Sequence, residues 1–384
     1  MTPLSLYLHI PFCAKKCRYC DFYSEKTDAS QKKQYLKALS REIDHYRDLP
    51  SIAAAQVRTV FFGGGTPTVL TAGELAELCG LIRSGFRLAS DVEWTVECNP
   101  ESFTGEKAGV LFDYGVTRLT FGVQSLDGRE LNLLGRIHSA ERCIEALNDP
   151  ALSRFASVGV DIIFGVPGQT EATLDHTLDI LTALPVIRHI SAYELNVASG
   201  TVFGRHRSLL PMPADEAMAE MTWHVWKRLA DAGFEQYEVS NFAKSGHRCG
   251  HNEAYWDHRP YLGLGCSAHS FLHPERWGNV KNISQYCSMV DAGEFPREFT
   301  ETIDTKKLAV EMLFLGLRRT DGINEERFND ICGVTFETSV DTQKLEYYLQ
   351  EGLIRYEKPF WRPTAKGMLM ADGMARELMI NLTG

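Results

Sequence analysis

His9-Ile-Pro-Phe-Cys13-Ala-Lys-Lys-Cys17-Arg-Tyr-Cys20 places three cysteines within eight residues, directly behind the apolar run Leu4–Ile10. That run reads as a β-strand, so the cysteines fall in the loop at its C-terminal end. Three thiolates so close together can wrap one small metal centre. Iron–sulfur clusters normally take four cysteine ligands, and three leave one iron with an exchangeable position. Zinc, with His9 or Asp21 as fourth ligand, is the competing reading. Zinc sites usually show paired ligand spacings, however, and no second Cys/His pair of that kind is present. The other seven of the ten cysteines are scattered, which argues for metal binding in a reducing compartment and against a disulfide framework.

Outward from this loop, β-rich apolar runs alternate with helical patterns. The strands are expected at Leu4–Ile10, Val57–Phe62, Val92–Cys98, Val116–Gln124, Ser157–Phe164 and Ile187–Leu195. Helices are expected at Gln31–Tyr46, Ala72–Arg83, Ala140–Leu147 and Glu171–Leu184. This order argues for βαβ units and a parallel sheet. Six units close only part of a (β/α)₈ barrel, so the expected class is α/β, a partial (β/α)6 barrel; a flat doubly wound sheet stays open on pattern alone. In either architecture, ligands gather at the C-terminal ends of the strands.

After about residue 200 the alternation fades. Ala214–Ala232 reads as a long helix, followed by an irregular stretch rich in His, Gly and aromatic residues up to Trp277. A helix from Asp304 to Leu317, another at Ser339–Leu349 and a hairpin in Gly352–Arg362 suggest a winged-helix-like C-terminal domain. The expected division is therefore 1–200 for the barrel, 201–300 for a connecting region and 301–384 for the helical domain.

The chain has 384 residues with 40 Lys+Arg against 50 Asp+Glu, a formal charge of −10, which disfavours nucleic acid as the main partner. No stretch approaches the ~18 apolar residues of a transmembrane helix. The start, Met1-Thr-Pro-Leu-Ser-Leu6, has no cationic n-region, so no signal peptide and a cytoplasmic location are expected.

Further candidates sit at expected strand ends. Gly63-Gly64-Gly65-Thr66-Pro67 follows the second strand, where glycines let the backbone approach a ligand closely. Glu97 ends the third strand and Gln124 the fourth, Arg136 lies twelve residues on, and Asp161 interrupts an apolar strand. An acid in such a run costs several kcal/mol unless paired or hydrogen-bonded.

C-x₃-C-x₂-C with Tyr19 before the last cysteine resembles the radical S-adenosylmethionine (SAM) signature. The fuller text from Tyr7 to Cys20 is similar to the oxygen-independent coproporphyrinogen III oxidase-like family, and the likeness covers nearly the whole chain. The resemblance implies a [4Fe-4S] cluster on Cys13, Cys17 and Cys20, with the open iron binding S-adenosyl-L-methionine, which the cluster cleaves to a 5′-deoxyadenosyl radical. It implies that Gly64, Gly65 and Thr66 contact the cofactor's amino end, Glu97 and Gln124 its ribose hydroxyls, and Arg136 its carboxylate. Tyr7, Tyr19, Asp161 and Asn196 would line the same pocket.

Three features point within the family to its heme-chaperone branch. Phe22 stands where the oxidases carry a fourth cysteine, only twelve residues precede Cys13, and His251-Asn-Glu-Ala-Tyr-Trp256 matches that branch's HNxxYW element. The resemblance thus implies heme as a third cofactor with His251 as its ligand; His247, His258, His269 and His273 are rivals. It also implies heme-acceptor proteins, such as respiratory ones, as partners. It leaves room for an electron donor of flavodoxin or ferredoxin type and for a homodimer. The alternative is the oxidase itself, which decarboxylates coproporphyrinogen III by radical chemistry, so whether the chain is an enzyme is open at this point.

Overall fold

Six strands, β1 Pro3–Ile10, β2 Gln56–Gly64, β3 Leu88–Cys98, β4 Arg118–Gln124, β5 Ser157–Phe164 and β6 Ile187–Glu194, pair in parallel in sequential order. The computed structural model describes residues 2–26 and 29–379; the final part of the expected third region, 380–384, lies outside the described residues. Helices Ala29–Arg47, Ala72–Gly85, Gly105–Asp113, Ala140–Leu147 and Glu171–Ala183 fall between successive strands. Local chemistry fixes their starts: Thr71 and Glu74 form a reciprocal capping box, and Asp127 caps the short helix Gly128–Leu134.

Alternation along the strands sorts the two faces of the sheet. Leu6, Leu8, Val60, Phe62, Trp94, Val96, Phe121, Val160 and Ile190 are buried in the main core. The intervening residues, among them Tyr7, Thr59, Phe61, Glu93, Glu97, Thr120, Asp161 and Ser191, point to the opposite face, because side chains reverse at every residue. Neighbours in register, such as Gly122 beside Asp161 and Asp161 beside Ser191, gather this polar set on one concave face. The partial barrel expected from sequence is what forms, and the flat alternative falls away.

The stretch that reads as irregular folds onto both margins of this sheet. β7 Glu235–Gln236 and β8 Asn241–Ala243 extend it beyond β6. On the other side β9 Tyr261–Leu264 pairs in parallel with β1, and antiparallel strands β10 His269–Leu272, β11 Glu275–Asn279 and β12 Arg297–Thr302 follow. Strands of two to six residues are too short to show a period in sequence.

Helices Thr305–Gly316, Glu325–Cys332 and Thr342–Gln350 precede the hairpin β14 Ile354–Glu357 and β15 Phe360–Pro363, with β13 Ile323–Asn324 completing a three-stranded sheet. They enclose a second core that includes Leu308, Leu313, Phe328, Phe336 and Trp361, the winged-helix-like order expected. Phe271 of β10 belongs to this second core, so the C-terminal unit is seated on the sheet margin.

Candidate functional site

The loop behind β1 is pinned on several sides. Cys13 N–H donates to Glu25 O at 3.1 Å, and the N–H groups of Gly65 and Thr66 donate to Ile10 O and Phe12 O at 2.8 and 2.9 Å. Arg18 N–H donates to Leu134 O at 3.0 Å, tying the loop's far side to the end of the short helix 128–134 after β4. Cys13, Cys17 and Cys20 are free, half-buried and line one cavity of about 580 Å³ at the C-terminal ends of β1–β6. Tyr19, Gly64, Gly65, Thr66, Glu97, Gln124, Arg136, Asp161 and Asn196 share its wall. Twelve of the fourteen residues singled out in the sequence therefore meet at one place, as strand-end positions should.

The glycine turn lies in the chamber wall and also against β1 and the cysteine loop. A Cβ on Gly64, which has φ +106°, would lie 2.5 Å from the His9 ring, and one on Gly65 would lie 2.7 Å from Phe12 O. Both positions therefore require glycine for the turn to pack against β1 and the start of the cysteine loop.

The cavity holds charge at some cost. Burial pushes the Glu97 carboxyl up to about 8, and the nearby Asp161 adds to it, while Gly64 N–H donates to Glu97 Oε2 at 3.2 Å. Burial likewise raises Asp161 to about 6, against hydrogen bonds from Ser191 and Thr120. Burial also raises the Cys20 thiol, to about 11. Burial works against the Arg136 guanidinium, but Tyr19 and Cys17 hold its pKa above the usual range. Arg136 donates from Nη2 to Gly122 O at 2.5 Å and from Nη1 to Cys17 Sγ at 3.4 Å, yet its buried Nε has no partner among the described residues. Gln124 sits at φ +70°, a strained conformation for a non-glycine of the kind concentrated at ligand sites.

These residues fit an iron–sulfur cluster and a nucleoside-sized cofactor. Three free thiols face one chamber, an orphaned guanidinium N–H lies beside one of them, and the volume suits a ligand of that size. Asn99, Glu101, Ser102, Tyr193 and Glu194 also line the chamber. Sequence reading passed over them although each follows or ends a strand, the one signal that marks them.

Two candidates are placed elsewhere. Tyr7 is not in the wall: its hydroxyl pairs with His9 Nδ1 at 3.0 Å and its ring stacks on Phe61 on the concave face beneath the chamber. His251 lies toward the opposite, N-terminal end of the strands. The N–H groups of Gly250 and His251, at the start of helix Gly250–Trp256, donate to the Glu93 carboxylate at 3.0 Å each. This draws the His251 ring onto Phe61, with centroids 5.0 Å apart. Its Nδ1 pairs with Thr59 Oγ1 at 2.8 Å and its Nε2 with Tyr255 Oη at 3.1 Å. The ring is 1% exposed, and burial lowers its pKa to about 3. In this geometry both ring nitrogens of His251 are hydrogen-bonded to hydroxyl groups, and the residue is outside the wall of the chamber.

Comparison with known proteins decides the family. Residues 7–181 match the Radical SAM superfamily model and residues 303–370 the HemN C-terminal domain. The heme chaperone HemW of Bacillus subtilis is 33% identical over 371 residues, 96% of this chain and 97% of its own length. The chain belongs to the HemW family. The HemW of Mycobacterium tuberculosis H37Rv is also 33% identical, over 98% of this chain and 95% of its own. Among solved structures, coproporphyrinogen III oxidase (HemN) from Escherichia coli superposes with a TM-score of 0.86, covering 99% of this chain and 90% of its own at 24% identity, a likeness of fold alone. Membership of the radical SAM superfamily implies a [4Fe-4S] cluster and S-adenosylmethionine, the two groups that the HemW-family chamber fits. No helix among the described residues is long and apolar enough to cross a membrane.

Proposed function

We propose that this HemW-family chain is a cytoplasmic heme chaperone, holding a [4Fe-4S] cluster on Cys13, Cys17 and Cys20 with S-adenosylmethionine beside it, and passing bound heme to apo-proteins. The observation that carries the reading is kinship with heme chaperones along nearly the full length of the chain. Phe22, 67% exposed at the chamber, adds support: a fourth thiol is missing where the oxidase reading calls for one.

Within the chamber, Arg136 supplies a fixed positive charge for a carboxylate, through charge-assisted hydrogen bonds. Glu97, at about 8, keeps its proton at neutral pH and can donate to a hydroxyl; Gln124 and Asn196 offer amides in the same wall. The cluster, when bound, supplies one electron, drawn from a flavodoxin- or ferredoxin-type donor. What the chain's own residues do is position and desolvate.

The test is anaerobic. Protein with its cluster restored is titrated with heme, mixed with an apo-heme protein, and separately given coproporphyrinogen, cofactor and reductant. About one heme per chain, transferred to the acceptor, is expected. Protoporphyrinogen formation without heme binding would make the chain an oxidase.

A further inference from the structure

A second cleft, of about 440 Å³, opens where the C-terminal unit meets the sheet margin. Tyr255, Tyr261 and Phe271 form one side of it; Val310, Phe314 and Leu315, from helix Thr305–Gly316, form the other. Such walls suit a flat, largely apolar ligand. His258 lines the same cleft in a left-handed backbone conformation, φ +53°, that is uncommon outside glycine. Its side chain is 5% exposed, and its ring stands edge-on to Phe271 with centroids 4.5 Å apart.

The polar groups here form an ordered chain. His258 Nε2 pairs with Glu311 Oε2 at 2.5 Å, and Arg276 donates to both oxygens of the same carboxylate, at 2.7 Å to Oε1 and 2.5 Å to Oε2. A carboxylate fixed in this way takes the proton on Nε2 and leaves Nδ1 as the basic nitrogen. Carboxylate–histidine pairing is the arrangement that orients imidazole ligands of metals. Among the described residues no group bonds Nδ1 of His258, in contrast to His251, whose two nitrogens are both engaged.

We propose that heme lies in the cleft between the sheet margin and helix Thr305–Gly316, with His258 Nδ1 as iron ligand, Glu311 and Arg276 fixing the imidazole, and Tyr255 and Phe314 on the macrocycle's faces. Under this assignment the His251 motif acts at one remove: its imidazole holds the Tyr255 hydroxyl that sets one wall of the cleft. The inference rests on the heme-chaperone reading and deepens it by naming the site and the ligand.

The experiment uses the full chain, anaerobic and with its cluster restored, titrated with heme and followed at the Soret band. His258→Ala should shift the band and weaken binding tenfold or more, and added imidazole should restore the native band, a rescue that a merely structural histidine would not show. Val310→Trp, which fills the cleft without touching a ligand, should weaken heme binding at least as much while iron and sulfide content stay native. Native protein that binds heme, together with both variants at native affinity and spectrum, would overturn the site and leave the chaperone reading standing. Native protein that takes up no heme would overturn that reading and the site with it.

Discussion

The two ends of the barrel surround their polar groups differently. At the C-terminal ends, Arg136 keeps an N–H unpartnered among the described residues, Glu97 is held above its ordinary pKa, and Gln124 is strained. At the N-terminal ends, Glu93 accepts two N–H donors and forms an ion pair with Arg118 at 3.6 Å, and His251 has both nitrogens engaged, although Arg118 Nε also lacks a hydrogen-bond partner among the described residues. One end opens on the chamber, and the other is closed by the packing of His251 on Phe61. The lesson concerns motifs: a histidine among aromatic residues reads the same on paper at either end, and only the fold supplies its partners.

The largest expected effect falls on the open end. Cys17→Ala should reduce iron from about four per chain, the content of one cluster, to near none after anaerobic reconstitution. Cys79→Ala and Cys332→Ala, at sites buried in the two cores, should leave the iron content unchanged. Iron retained in Cys17→Ala would remove the distinction between the ends.

Next comes cofactor affinity. Arg136→Ala deletes a charge-assisted contact worth ~1.5–3 kcal/mol, a tenfold or greater loss of S-adenosylmethionine binding by equilibrium titration. Unchanged affinity would mean that the orphaned guanidinium serves the fold instead.

At the closed end, His251→Ala leaves Thr59 and Tyr255 without a buried partner. It should cost roughly 1–3 kcal/mol of stability in denaturant unfolding. Loss of heme affinity should be smaller than in His258→Ala, measured on the same preparations. The reverse ranking would return the ligand to the motif histidine.

The smallest effect sharpens the comparison through pH. Glu97 ionises near 4.5 when unfolded and at about 8 in the fold. Between those values the folded protein binds a proton that the unfolded chain has lost, so the group's contribution to stability falls as pH rises through that window. Glu97→Gln removes this dependence. The Tm advantage of the cluster-free variant over cluster-free native protein should therefore grow from pH 5 to pH 8, and a constant difference would show that the carboxyl is not held protonated.

Legibility in the sequence followed the range of the contacts. Cys13, Cys17, Cys20 and Gly63–Thr66 are short, contiguous signals at strand ends, and the alternation of β1–β6 declared a parallel sheet and the place where its ligands gather, while barrel and flat sheet shared that pattern. The surroundings of His251 were illegible because the carboxylate that positions its backbone, Glu93, is 158 residues away. The second cleft was illegible for the same reason: Tyr255, Arg276 and Glu311 come from a helix, a short margin strand and the C-terminal unit, and no local pattern unites them. β9, four residues long, joins the parallel sheet without any periodic signal of its own.

The most direct measurement of the central claim, that the molecule keeps cluster and heme at separate places, crosses two variants with two readouts. Cys17→Ala and His258→Ala are each prepared anaerobically, assayed for iron and sulfide, then titrated with heme at the Soret band. Cys17→Ala should lack the cluster and bind heme with native affinity, while His258→Ala should keep about four irons and lose most of its heme affinity. Loss of both groups in Cys17→Ala, or native heme binding in His258→Ala, would contradict it.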